Sequence, residues 1–108
     1  MTRAERKQAV AELQAIAKRF DDAADRAFTL ADEEQRRRDA ATLRMVAVLV
    51  SAPRIRHLSR DAEYVKLWMD AAERMLAHYD RADMDVVHGS RMIRREARAQ
   101  QLAAEAGR

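Results

Sequence analysis

The chain of 108 residues has no cysteine, one proline and two glycines. Without cysteine there are no disulfides and no thiolate metal sites, and a cytoplasmic location is expected. Proline is disfavoured in helix interiors by about 3 kcal/mol and glycine by about 1 kcal/mol relative to alanine. Pro53 and Gly89 are the only interior breakers, since Gly107 lies next to the C-terminus. So few breakers predict an all-α fold of long helices. Long apolar runs are also missing. The longest, at 45–50, has six residues, far below the ~20 of a membrane span. The N-terminal stretch MTRAERKQAV is charged and has no secretory core behind it, so no membrane partner is expected. Aromatics make up only 5% of the chain, and much of the 48% hydrophobic share is alanine, which buries little area. A core this thin favours self-association, so a homodimer is expected.

What is present is helical periodicity. Thr2-Arg3-Ala4-Glu5 has the capping-box pattern, which starts a helix there. Leu13, Phe20 and Ala27 recur every seven residues, as do Val10, Ala17, Ala24 and Ala31. The polar stretch DEEQRRRD at 32–39 holds no Gly, Pro, Ser or Asn to make a turn, so the first helix is expected to run through it to about residue 52. A break near 29–39 is the alternative, because Thr29-Leu30-Ala31-Asp32 can cap a new helix. Residues 40–52 are apolar nearly all round, and Pro53 with its restricted predecessor ends the segment. Ser59 is a candidate cap for a second helix, whose stripe is Tyr64, Trp68, Ala71, Ala72, Met75, Tyr79, Ala82 and Val86. Gly89 reads as its C′ residue and Ser90 as the next N-cap. The expected architecture is one helical domain, 1–108: a long antiparallel hairpin with helices at about 3–52 and 60–88, then a short C-terminal helix at 91–105. Two copies would form a dimeric bundle.

Charge is distributed in zones. Residues 1–34 carry six basic and eight acidic side chains, 35–60 seven and one, 61–90 three and seven, and 91–108 five and two. A hairpin about 53–59 would lay the second zone beside the third, with Arg36, Arg37 and Arg38 near Asp70 and Glu73, and Arg44 near Asp61 or Glu63. Exposed pairs of this kind contribute only ~0–1 kcal/mol each. The competing reading is a phosphate-binding patch at the hairpin tip, made of Arg54, Arg56, His57 and Arg60. Arg91, Arg94, Arg95 and Arg98 share one helix face by their three-and-four spacing and can track a nucleic-acid backbone. More often such a stripe is a solvated or acid-paired face, with Asp21, Asp22 and Asp25 as the candidate partners.

Chemistry-bearing groups are sparse. HYDRADMDVVH holds His78, Asp80, Asp83, Asp85 and His88, but on a helix these point to different faces, so no metal is expected. Ser51, Ser59 and Ser90 all sit where helix caps are expected, and no glycine-rich loop is available for a nucleotide. No enzyme activity, cofactor or catalytic residue is expected. Trp, Tyr and Met are enriched at interface cores, so the Tyr64–Trp68–Met75 stripe and the Leu13–Phe20 end of the first helix are the candidate partner-binding residues.

The passage EEQRRRDAATLRMVAVLV, followed by an aromatic-containing helix, resembles small helical accessory proteins of plasmid conjugation and mobilisation over about a third of the chain. Those proteins tend to have a glycine inside the apolar run, where this chain has Ala47. The resemblance implies a nucleic-acid-binding accessory role and transfers no residue. The abundance of alanine and arginine fits a GC-rich bacterial genome. The reading from the residues is a non-enzymatic interaction protein, a regulator or adaptor that binds a protein through an amphipathic helix face. The alternative is nucleic-acid binding through Arg54, Arg56, Arg60 and the basic C-terminal helix.

Overall fold

The computed structural model describes residues 2–52 and 62–107. Among them are three helices and no strand: α1 at Arg3–Asp25, α2 at Leu30–Ser51 and α3 at Ala62–Ala106. The all-α expectation holds, and the helices form an extended, hairpin-like arrangement with principal extents of 78 × 21 × 16 Å.

The expected continuous first helix is instead two helices. α1 begins at its predicted cap, where the Thr2 hydroxyl accepts from the Glu5 backbone N–H at 3.1 Å. It ends at Arg26, whose N–H reaches back to Ala23 and Ala24. Thr29 then repeats the Thr2 geometry, accepting from the Asp32 N–H at 3.1 Å to cap α2. The reversal needs neither glycine nor proline, because it lets two alanine-rich seams bury each other. Leu13, Ala17, Phe20 and Ala23 pack with Ala40, Leu43, Ala47 and Val50 in one core cluster, and all eight are buried. A straight helix would leave both seams in water, where each large apolar side chain gives up about 1.5–3 kcal/mol of burial. α2 stops at Ala52, which is extended (φ −74°, ψ 118°), as the residue before a proline is driven to be.

α3 has 45 residues, about 67 Å at 1.5 Å per residue. The predicted stop at Gly89 and the cap at Ser90 are absent, and the helix runs through both. No glycine adopts positive φ, so Gly89 is an ordinary helical residue. One glycine costs about 1 kcal/mol, too little to end a helix that good helix formers flank on both sides. α3 lies parallel to α1 and antiparallel to α2. Arg19 pairs with Glu73 and Arg26 with Asp80 along α1, while Arg36 pairs with Asp83 and Asp39 with Tyr79 along α2. Only the first half of α3 is covered by this body. Val65, Ala72 and Leu76 are buried, whereas every described residue from 90 onward is exposed. Ser59 and the expected hairpin tip lie outside the described residues. Among the described residues no helix is long and apolar enough to cross a membrane.

Candidate partner-binding face

Three helices meet at one end of the body in a polar clamp. Arg36 is 2% exposed. Its guanidinium donates to the Ala23 carbonyl at 2.9 Å, capping the last turn of α1, and makes a two-point bond to Asp83 at 2.9 and 2.7 Å. The same group lies 4.5 Å from the centroid of the Tyr79 ring, and the Tyr79 hydroxyl donates to Asp39. Phe20 meets Tyr79 edge-on at 6.2 Å. The bond to Asp83 pushes the Arg36 pKa up against the opposing effect of burial. Burial first, and then the bond to Asp39, raise the Tyr79 phenol well above its ordinary value. These perturbed groups hold α1, α2 and α3 together. They are the part of the molecule that sequence reasoning placed wrongly, since Arg36 was expected on the surface near Asp70 and Glu73.

The remaining charge pairs also differ from expectation. Arg37 pairs with Asp25 at 2.7 Å and Glu33 at 3.1 Å, and Arg44 pairs with Asp21. Glu73 is taken by Arg19, and Arg38 stays exposed. The acidic end of α1 therefore answers the arginines of α2, not those of the C-terminal segment. Arg91, Arg94, Arg95 and Arg98 are exposed on the far half of α3, and none forms an ion pair among the described residues. Arg54, Arg56, His57 and Arg60 lie outside the described residues. In HYDRADMDVVH, Asp83 serves the clamp and Asp80 faces Arg26. No group of three or more His, Asp or Glu among the described residues is placed to hold a metal ion.

The five predicted partner-binding residues separate into two sets. Leu13 and Phe20 are 0% and 2% exposed, inside the body, so they form core and not a docking surface. Tyr64 and Trp68, packed edge-on at 6.3 Å, are half-buried, and Met75 is 42% exposed. Trp68 and Met75 form one wall of a groove of about 140 Å³ between α2 and α3. Asp39, Thr42 and Leu43 form the other wall, and Phe20 lies at the base. The α3 wall continues beyond the body. At steps of three and four, Trp68, Ala71, Met75, Ala82, Val86, Gly89 and Ile93 occupy one face, and Val86 and Ile93 are 46% and 69% exposed. Ile93 falls in the expected separate C-terminal helix, and so outside the expected stripe, because Gly89 reads as a stop. Its spacing of seven from Val86 was the available signal. Where α3 leaves the body, exposed Phe28 stands beside Met84 and Val87 in a second apolar notch.

Comparison with known proteins finds no matching family model, no matching curated protein and no matching solved structure.

Proposed function

We propose that this chain is a non-enzymatic helical interaction protein, a regulator or adaptor, that binds a partner helix along the exposed face of α3. The observation that carries this reading is the unbroken Trp68–Met75–Val86–Ile93 face, which begins as a groove wall on the body and runs on over a projecting helix. Apolar anchors set in a groove and rimmed by charge are the usual make-up of a helix-binding surface. A non-catalytic role is favoured because the groups with shifted pKa among the described residues, Arg19, Arg36, Arg37 and Tyr79, are all engaged in ion pairs or hydrogen bonds between helices. The test is partner capture from the native host, nuclease-treated, comparing the wild type with Met75→Asp and Ile93→Asp. A partner retained by wild type and lost from both variants supports the reading. Equal retention by all three removes it.

A second reading is favoured by one observation: the four arginines of the projecting helix are exposed, share one helix face and form no ion pair among the described residues. A helix of this kind fits a major groove about 12 Å wide. Titration of labelled duplex at two salt concentrations tests it. Binding with a steep salt slope that is lost when Arg91, Arg94, Arg95 and Arg98 become glutamine supports nucleic-acid recognition. No binding at low salt excludes it.

A further inference from the structure

From residue 90 to Ala106, α3 stands clear of the three-helix body for about 25 Å at 1.5 Å per residue, and every described side chain there is exposed. Arg91, Arg94, Arg95 and Arg98 lie within this stretch and fan over about 100° of the helix circumference. We propose that their ligand is B-form duplex DNA, gripped through its phosphates by this helix lying in the major groove. This rests on the nucleic-acid reading above and names which nucleic acid the arginine face takes.

The charge layout sets the extent of the contact. Asp80, Asp83 and Asp85 precede the arginines and Glu105 follows them, so an anion is attracted only along the two turns from Arg91 to Arg98. Within those turns Arg94 and Arg95 mark the two edges of the fan, with Arg91 and Arg98 between them. Each edge can address one strand of a duplex. Three other polyanions fit this face less well. An anionic membrane needs an apolar face opposite the basic one. Here that opposite face holds Gly89, Ile93, Glu96 and Gln100, with Ile93 its one large apolar side chain. A single strand is held by stacking its bases on aromatic side chains, and no Phe, Tyr or Trp follows Tyr79. An RNA duplex has a deep, narrow major groove that side chains cannot read. The B-form major groove is about 12 Å wide and admits a helix about 10–12 Å across. The body does not obstruct entry, because its last clamp contact is Asp83 and the arginines begin two turns later.

The test titrates the full chain against a DNA duplex, an RNA duplex and a DNA single strand of one sequence and length, and against phosphatidylserine vesicles. The DNA duplex should be bound tightest. Four neutralised phosphates give a slope of about −3.6 in log affinity against log salt, so binding should weaken about 150-fold between about 50 and 200 mM salt. Arg94→Gln should make that slope shallower by about 0.9. Arg38→Gln, at an exposed arginine of α2, should leave it unchanged. Circular dichroism should show both variants as helical as the wild type. Equal or tighter binding of the RNA duplex, the single strand or the vesicles overturns the assignment to B-form DNA, while the nucleic-acid reading stands wherever a nucleic acid is bound. Binding to none of the four, or to vesicles alone, overturns both. A DNA duplex held equally well after all four arginines become glutamine also overturns the assignment, because the contact then lies elsewhere.

Discussion

Arg36 shows how one residue can act against its type. It occupies the inward position of the 36–40–43–47–50 series on α2, where its neighbours are Ala40, Leu43, Ala47 and Val50. A charge can stay there because Asp83, the Ala23 carbonyl and the Tyr79 ring replace its water, although Nε is left without a partner. Removing one partner of a buried pair leaves the other uncompensated. Arg36→Ala should therefore lose about 3–5 kcal/mol of unfolding free energy, read from urea titrations. Replacing a surface arginine such as Arg37 should cost far less, because solvent screens its pairs. Tyr79 adds a pH dependence. Its folded pKa lies above the ordinary 10.0, so the neutral phenol is favoured by folding. That contribution is intact below pH 10 and is lost as pH rises above 10 toward the raised folded value. As pH rises above 10.0, wild type should lose stability more steeply than Tyr79→Phe, with the midpoint of chemical unfolding as the measure. The spacing of Arg36 was readable as an inward position. Its carboxylate was not, because Asp83 lies 47 residues away and only the packing of α3 brings it close.

At the scale of the element, the decisive boundaries were settled by modest local energies competing with burial. The α1–α2 break falls where Thr29 can cap a helix, the alternative the sequence offered. Choosing it over a continuous helix took the burial of Phe20, Ala23, Leu43 and Val50 in a common seam. Gly89 went the other way, since a residue that reads as a stop sits inside a 45-residue helix. A Cβ built at Gly89 would meet nothing within 4 Å. Gly89→Ala should therefore strengthen the projecting helix by about 1 kcal/mol, seen as slower amide exchange around residues 85–95. A more flexible segment in Gly89→Ala would contradict the helical role assigned to this position.

At the scale of the molecule, stability and interaction surface are divided along α3. The core residues lie at or before Tyr79, and the last contact of the clamp is Asp83. A chain ending at Gly89 should then unfold, at concentrations where the full chain is monomeric, within about 0.5 kcal/mol of the full chain, because surface changes away from the core rarely exceed that. A larger loss, measured by urea unfolding monitored at the single Trp68, would mean that the projection supports the body.

The sequence by itself determined that the chain is helical, where α1 begins, where α2 ends, and that one apolar stripe runs through Tyr64, Trp68, Met75 and Val86. These follow from caps, breakers and three-to-four spacing, which act within a turn or two of chain. Only the tertiary structure decided that Leu13 and Phe20 are core, that Arg36 is buried, that α1 folds back on α2 and that α3 outruns both. Those outcomes depend on which seams find partners far along the chain. Burial of that kind is a property of the packed helices together and has no signature in any one of them.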